Sequence, residues 1–324
     1  MKRDISGPSR LAVGIDFGGT AVKMGLVEDT GRIRRALSFP TCRAVTQQDW
    51  MEAVAEAWRL LVKPGERVEG VGVGVPGFVD FKRGFIHELT NVPGWTGVPL
   101  ADRLHRRFGV PAVVDNDVNA MAWGECVCGA GRGRRHAVLV TLGTGVGGGL
   151  LLDGHIYRGA YSMAGEVGHV TILMNGRRTP QGRGGLEAYV GNRRIVVMAR
   201  RLMRVHPSPF LARRLREPGM ELTPKLLAEA AERGDALARR VFDRVADCLA
   251  AAFASITYLV QPEVFIVGGG VAQSGRVLFD PLRRHLVERL SPYFARRVRV
   301  IRARFGNRAG MIGCAMLVLR PEQA

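Results

Sequence analysis

The sequence is poor in cysteine and lacks any long uninterrupted apolar run. It has five cysteines in 324 residues, and the nearest pair, Cys126 and Cys128, lacks the C-x-x-C spacing of redox and zinc sites. A disulfide scaffold is therefore excluded, and we interpret the thiols as small buried groups in a reducing cytosol. No apolar stretch reaches the roughly 20 residues of a membrane helix, and residues 1–10 lack the apolar core of a signal peptide. We expect a cytoplasmic protein with no membrane partner.

Lysine is scarce as well, although the chain is strongly basic. The formal net charge is +18, from 47 Lys+Arg against 29 Asp+Glu, and only five of the basic residues are lysine. The hydrophobic fraction of 47% is ordinary for a globular protein, which excludes a disordered chain. The charge has two interpretations, a nucleic-acid partner or a solvated arginine-rich surface, and we favour the second.

Arginine is concentrated between Arg177 and Arg216, a range that we call the arginine-rich segment. It holds eleven arginines, with Glu187 as its one acidic residue. The simpler interpretation is a solvated helix face whose arginines pair with acids elsewhere. The alternative is an anion-attracting patch or a polyanion-binding surface.

Two glycine-rich strand–turn–strand units, about 125 residues apart, form a weak internal repeat. The first carries Asp16, Gly18, Gly19, Thr20 and Lys23, and the second carries Thr141, Gly143, Thr144 and Gly145. Glycine lets backbone N–H groups approach an anion closely, so both turns are candidate phosphate sites. The first is equally consistent with a plain hairpin turn, whereas the second has more glycine than a hairpin needs. Asp16 is a candidate ligand for Mg²⁺ or its water shell.

A third glycine run, Gly268, Gly269 and Gly270, follows a buried strand. Ligands of open α/β sheets bind at such strand ends, so we predict contact with the base or ribose of a nucleotide. A tight turn is the structural alternative.

Polar side chains gather in the segment Asp115-Asn116-Asp117-Val118-Asn119, at the end of a predicted strand. A helix cap accounts for one of them. A ligand with several hydroxyls would use more of these side chains, one carboxylate as a base for the reacting hydroxyl and others to hold its neighbours. This arrangement fits phosphoryl transfer. Three further residues, Glu166, His169 and Glu187, could hold sugar hydroxyls, and Asn91, in a turn by composition, has an amide available for a ligand.

The pattern of elements predicts two α/β domains that pack without a linker. Helices are expected over about 46–62, 186–203, 224–233, 235–259 and 308–319, with strands between them. We place the domain boundary near Asp117. Residues 1–117 and a C-terminal helix at about 308–324 then form a small domain, and residues 118–307 form a large one.

Taken together, these segments resemble the ROK family (repressors, open reading frames, kinases), and most closely its ATP-dependent sugar kinases of the bacterial glucokinase type. The resemblance runs from about Leu11 to Leu319 with the motifs in the family's order. It implies the actin-like ATPase (ribonuclease H-like) fold, with sugar and ATP in a cleft between two α/β domains.

The resemblance also implies roles for the residues singled out above. Asp117 matches the catalytic base that takes the proton of the sugar 6-hydroxyl. The implied sugar ligands are Gly77, Asn91, Asn116, Glu166, His169 and Glu187. The implied ATP-binding residues are Asp16, Gly18, Gly19, Thr20, Lys23, Thr141, Gly143, Thr144, Gly145, Gly268, Gly269 and Gly270.

The sequence departs from the family at its zinc loop. Three cysteines usually join the histidine there, and Arg178, Pro180 and Gly185 occupy their positions in this chain. A site that needs thiolates cannot form, so zinc is not expected. His169 is then available for sugar contact or packing.

The expected function is ATP-dependent phosphorylation of the glucose 6-hydroxyl, with Mg²⁺ supplied through ATP. The resemblance also implies a homodimer, and we expect no nucleic-acid partner. N-acetylmannosamine, N-acetylglucosamine and mannose are alternative substrates. A sugar-responsive repressor is a less favoured alternative, because ten residues before the first strand are too few for a helix-turn-helix segment. An assembly-forming or chaperone-type ATPase is disfavoured because it needs no sugar ligands.

Overall fold

The computed structural model describes residues 9–41, 46–90 and 92–322, which form two compact units. The first unit comprises residues 1–133, 154–164 and 307–324, and the second comprises residues 134–153 and 165–306. This division places residues 118–133 and 154–164 in the first unit, whereas the sequence-based division placed them in the large domain. Within the described residues, no helix is long and apolar enough to cross a membrane.

Runs of strands and runs of helices follow one another along the chain. From the N-terminus they are β1 (Leu11–Phe17), β2 (Ala21–Glu28), β3 (Ile33–Pro40), α1 (Gln47–Leu61), β4 (Val71–Val75), β5 (Gly77–Asp80), β6 (Phe85–Leu89), β7 (Thr96–Val98), α2 (Leu100–Phe108), β8 (Ala112–Asn116) and α3 (Asp117–Val127). They continue with β9 (Ala137–Leu142), β10 (Val146–Leu152), β11 (His155–Ile156), β12 (Arg178–Thr179), β13 (Gly182–Arg183), α4 (Glu187–Val190), α5 (Asn192–Met203), α6 (Pro209–Arg214), α7 (Pro224–Glu232), α8 (Ala236–Val260), β14 (Val264–Gly268), α9 (Arg276–Arg289), α10 (Pro292–Ala295), β15 (Arg299–Arg302) and α11 (Ala309–Leu319).

The first unit is built on a five-stranded sheet in the order β3-β2-β1-β4-β8. β1 pairs antiparallel with β2 and parallel with β4, and β4 pairs parallel with β8. All seven residues of β1 and all five of β4 are buried, as expected for central strands covered on both faces. The carboxyl ends of β1, β4 and β8 therefore lie side by side, and the predicted site residues Asp16 and Asn116 come at two of these ends.

α11 covers this sheet and is apolar around its whole circumference. Ten of its eleven residues are buried, and it packs against β1, β4 and α3. Close approach depends on glycine, because a Cβ at Gly72 would collide with the Cys314 carbonyl oxygen, and one at Gly14 with that of Met311. The sequence-based prediction of a buried C-terminal helix is confirmed.

The second unit contains a sheet in which β10, β9, β14 and β15 are successive neighbours. β9 pairs antiparallel with β10, and β14 pairs parallel with both β9 and β15. The long helix α8 begins at an Asp235 cap, whose Oδ1 accepts a hydrogen bond from the Ala238 N–H at 2.9 Å. α8 packs against α9, and Phe253 of α8 stacks on Phe265 of β14 with ring centroids 4.2 Å apart.

Most predicted elements are present, and one predicted helix is divided. The helix expected over 186–203 consists of α4 and α5, which separate at the extended residue Gly191. Helix α1, expected over 46–62, begins with a capping box between Thr46 and Asp49. The small sheet β5-β6-β7 was not predicted, because its strands are three to five residues long and lie among turn residues.

Candidate active site

The first glycine turn lies between β1 and β2 and is held by hydrogen bonds from Thr41. The Thr41 hydroxyl donates to the Gly18 carbonyl oxygen at 2.7 Å, and the Thr41 N–H donates to the Thr20 carbonyl oxygen at 3.0 Å. Both bonds are accepted by carbonyl oxygens of the turn, so they fix the turn without using its N–H groups. The structure thus places the predicted residues Gly18, Gly19 and Thr20 in one braced turn, and Asp16 near the end of β1 lies opposite Lys23 on β2.

Asp16 is a buried carboxylate with one cationic neighbour. Its Oδ2 lies 3.5 Å from Lys23 Nζ, which also donates to the Asn307 carbonyl oxygen at 3.5 Å. Burial raises the pKa of Asp16, and the Lys23 ammonium opposes this rise. A carboxylate oxygen held in this way is the type of donor that a hard divalent cation takes.

Asn116 and Asp117 stand at the junction of β8 and α3. Asn116 Oδ1 caps the helix by accepting hydrogen bonds from Val118 N at 2.9 Å and Asn119 N at 3.2 Å. Its Nδ2 donates to the Gly77 carbonyl oxygen at 3.4 Å. Asp117 is the first residue of α3, where the helix dipole favours an ionised carboxylate. The cap is therefore supplied by Asn116, and the structure brings the predicted residues Gly77, Asn116 and Asp117 together.

Asp115 belongs to a buried ion network that the sequence did not reveal. Its Oδ2 accepts a hydrogen bond from Arg158 Nη2 at 2.7 Å, and the same nitrogen donates to Glu322 Oε1 at 2.6 Å. Arg158 also lies over the Phe81 ring, 3.6 Å from its centroid. Burial raises the pKa of Asp115, while Arg158 and the Asn116 N–H, which donates to Asp115 Oδ1 at 2.7 Å, act against the rise. The network therefore fixes the strand end that carries Asn116.

The second glycine turn lies between β9 and β10 and is tied to α4 and α5. Gly143 N donates to the Gly145 carbonyl oxygen at 3.0 Å, and Asn192 N donates to the Gly143 carbonyl oxygen at 2.9 Å. Glu187 Oε2 accepts a hydrogen bond from Val146 N at 2.8 Å. Thr141 is the β9 residue just before this turn. The structure thus confirms the predicted turn and adds that Glu187 braces it.

Glu166 and His169 lie together on a short 3₁₀ turn. Glu166 Oε2 is 3.7 Å from His169 Nε2, and the two side chains are 52% and 38% exposed. Both can therefore reach a small molecule. Glu187 was predicted to act beside them, and its Oε2 accepts a hydrogen bond from Val146 N.

The loop that would bind zinc in the family is held by backbone pairing. β12 and β13 form a small hairpin over Arg178–Arg183, and Thr171 bridges to Gly185. The Tyr189 hydroxyl accepts a hydrogen bond from the Arg177 N–H at 2.8 Å. The three positions that replace cysteine offer no thiolate, and the described residues contain no group of three or more His, Cys, Asp or Glu side chains arranged for a metal. The residues present do not fit a structural zinc ion.

The third glycine run follows β14 directly. Gly269 has φ +85, and a Cβ there would collide with the Leu142 backbone on β9. Glycine is therefore required for the chain to turn at this strand end. Asn91, the remaining predicted sugar ligand, lies outside the described residues.

The chain matches a family model over residues 12–321, and that model describes the ROK family. The chain belongs to the ROK family. It is 35% identical to the glucokinase of Thermotoga maritima over 312 residues, which cover 96% of this chain and 98% of that protein. The glucokinase of Streptomyces coelicolor is 34% identical over 319 residues, covering 96% of this chain and 98% of its own length.

A solved structure of the family extends this similarity to three dimensions. The ROK family glucokinase from Streptomyces griseus, in complex with glucose and AMPPNP, is 34% identical with a TM-score of 0.79. The match covers 95% of this ROK chain and 99% of that one. The ROK sugar kinases have the actin-like ATPase fold with two domains, so the fold expected from the sequence is confirmed.

Proposed function

We propose that this ROK protein is an ATP-dependent glucokinase that phosphorylates the 6-hydroxyl of glucose. The observation that carries the proposal is the placement of Asn116 and Asp117 at the start of α3, in a chain similar to glucokinases over almost its whole length. A negatively charged carboxylate is stabilised by the dipole at a helix N-terminus, and a carboxylate can accept a proton as a general base. The capping bonds of Asn116 fix the backbone that presents it.

Asp117 acts as the general base in the proposed reaction. It accepts the proton of the sugar 6-hydroxyl as the oxygen attacks the γ-phosphorus of ATP, and ADP leaves. Gly77, Asn91 and Asn116 hold sugar hydroxyls in this proposal. Glu166, His169 and Glu187 contact the ring hydroxyls, which requires the Glu187 carboxylate to leave Val146 N or to share it.

The glycine turns bind ATP in this proposal. Residues 16–20 with Lys23, and residues 141–145, offer backbone N–H groups and a cation to the phosphates. Gly268–Gly270 contact the adenosine. Asp16 provides the carboxylate that would hold Mg²⁺ or its water shell, and the ion would neutralise charge on the phosphates.

A coupled assay of ADP release over a panel of hexoses tests the substrate. With ATP and Mg²⁺ present, we expect glucose to give the highest kcat/KM among glucose, mannose, N-acetylglucosamine and N-acetylmannosamine. These sugars differ at the 2-position, so the ranking reports the space around that group. A higher value for another hexose would identify a different kinase, and ADP release independent of sugar would indicate an ATPase.

We also propose a cytoplasmic homodimer that serves glycolysis, on the basis of its resemblance to the family. Light scattering during size-exclusion chromatography tests the dimer, with an expected mass of twice 35.3 kDa. A mass of one chain over the range of assay concentrations would contradict it.

A further inference from the structure

A cavity of about 330 Å³ lies in the second unit, beside α4 and α5. Both helices belong to the arginine-rich segment. It is formed within this unit by side chains from α4, α5 and α8 and from the loop before β12. Its lining residues are Arg177, Ala188, Tyr189, Arg194, Val197, Met198, Arg201, Leu202, Arg240, Asp243 and Arg244. The volume falls within the range of small-molecule sites, which begins at about 300 Å³.

The charges around the cavity are strongly unbalanced. Five of its lining residues are arginine and one is acidic. That acid, Asp243, is already engaged by Arg284 and by His285, whose Nε2 lies 3.0 Å from Asp243 Oδ1. Its negative charge is therefore shared with groups outside the cavity.

Three of the five arginines have no polar partner for their side chains among the described residues, and one of these, Arg177, lies over the Tyr189 ring. Arg244 pairs with Asp247 at 2.7 Å, and Arg240 lies 3.1 Å from His206 Nε2. The side chains of Arg194 and Arg201 make no hydrogen bond or ion pair with any residue that the structure describes. Across the described part of the arginine-rich segment, Arg214 is the only residue that forms an ion pair, with Glu217.

Arg194 and Arg201 also point to the same side of α5. They are seven residues apart, which is close to two helical turns and places both on one face. Val197 and Met198 lie between them and supply an apolar floor. Two guanidinium groups above an apolar floor match an anion with several phosphoryl oxygens, because each planar guanidinium can bind two oxygens at once.

We propose that this cavity is a binding site for a small phosphoryl-bearing anion, separate from the glycine turns. Arg194 and Arg201 bind the phosphoryl oxygens, and the other three arginines raise the local positive potential. Inorganic polyphosphate and a phosphorylated sugar share the chemistry that this site recognises.

The cavity is connected to the second glycine turn through α4 and α5. Ala188 and Tyr189 line it, and the neighbouring Glu187 accepts a hydrogen bond from Val146 N. Asn192 N, two residues before Arg194, donates to the Gly143 carbonyl oxygen. An anion bound beside α5 is therefore expected to change the KM for ATP, and this second consequence rests on the proposed function.

Isothermal titration calorimetry tests the binding step without any turnover. Inorganic tripolyphosphate and glucose 6-phosphate are titrated separately into the full-length protein, in the presence of saturating AMPPNP and glucose and at constant ionic strength. We expect one site per chain for at least one probe. The variant Arg194→Gln/Arg201→Gln should weaken it at least about tenfold, because it removes both charge-assisted contacts.

The matched control is Arg213→Gln/Arg216→Gln, which removes the same charge from exposed arginines that do not line the cavity. It should bind as wild type does. Binding of tripolyphosphate alone identifies an inorganic ligand, and binding of glucose 6-phosphate alone identifies a sugar phosphate. The proposal is overturned if neither probe binds, if the cavity variant binds normally, or if the control loses as much affinity. Absence of kinase activity alone would overturn the proposed function and leave the calorimetric result standing.

Discussion

Asp16 shows how one neighbouring cation controls the charge of a buried group. Burial raises the pKa of its carboxyl group, and Lys23, 3.5 Å away, favours the ionised form. The proposed contact with Mg²⁺ requires that ionised form. Lys23 therefore has two roles in this account, as a cation for the phosphates and as the group that keeps Asp16 charged.

Replacing Lys23 with methionine is expected to move the acidic limb of the kcat/KM profile to higher pH. Without the ammonium the pKa of Asp16 rises further, so the carboxyl group is protonated, and inactive, up to a higher pH. The profile is measured for wild type, Lys23→Met and the charge-retaining control Lys23→Arg. An acidic limb at the same pH in all three would show that Asp16 ionisation does not limit the reaction.

Arg158 is the functional neighbour that sequence reasoning missed. Asp115 and Asn116 were recognised from their position at a strand end, but Arg158 is 43 residues away from Asp115 and belongs to no recognisable motif. A pair between residues so far apart depends on how the chain folds, which local sequence patterns do not show. The cue within the sequence was a second acid beside the proposed base, which needed a cation to be buried.

Removing Arg158 should destabilise the protein strongly. The variant Arg158→Met leaves Asp115 and Glu322 without their shared cation, and breaking such a buried pair typically costs about 3–5 kcal/mol. Urea unfolding measures the loss. The double variant Arg158→Met/Asp115→Asn should recover part of it, because the uncompensated charge is gone. Strictly additive losses would show that the two side chains do not interact energetically.

At the scale of elements, α11 is positioned by close backbone packing against the sheet, because it has no amphipathic pattern to orient it. Its sequence, AGMIGCAMLVL, has no polar face, which predicted burial on all sides. The apolar sequence could not show which elements the helix packs against. The backbone approach at Gly14 and Gly72 supplies that information, since both strand glycines lie under α11 carbonyl groups.

The substitution Gly72→Ala should lower the free energy of unfolding by about 1–3 kcal/mol, the usual effect of overpacking a core. The added methyl group meets the Cys314 carbonyl oxygen, so α11 must move away from β4. Gly270→Ala is the control, because its φ of −62 suits alanine and no atom lies within 4 Å of the added Cβ. Thermal unfolding followed by circular dichroism distinguishes them, and equal melting temperatures would contradict the packing account.

Strong periodicity and cap residues predicted α1, α7, α8, α11 and both glycine hairpins correctly. They failed where local signals were short or ambiguous. The apolar pattern over 186–203 continues across Gly191, although the chain there is extended and divides α4 from α5. The hairpin of β12 and β13 has two residues in each strand, too few to show a period.

At the scale of the whole molecule, the charge of +18 is partly neutralised and partly concentrated. Several arginines pair with acids far along the chain, as Arg35 does with Glu66 and Arg289 with Asp247. This agrees with the interpretation of a solvated arginine-rich surface. The arginine-rich segment differs, because its described residues contain a single ion pair. Sequence composition gave the total charge but not this local imbalance.

Metal removal should reveal dependence on magnesium and independence of zinc. Elemental analysis of purified protein is expected to find far less than one zinc ion per chain, because no thiolates occupy the family's zinc positions. EDTA should abolish ATP-dependent turnover, and added Mg²⁺ should restore it fully without zinc. Stoichiometric zinc, or recovery that requires zinc, would contradict the assignment of this loop as metal-free.

The rate of glucose 6-phosphate formation by Asp117→Asn tests the central claim most directly. The amide keeps the size of the side chain at the start of α3 but cannot take the proton of the 6-hydroxyl. We predict that kcat falls by about 10²–10⁴, as expected for loss of a general base, while calorimetric glucose binding stays within a few fold of wild type. A variant that phosphorylates glucose at the wild-type rate would contradict the account.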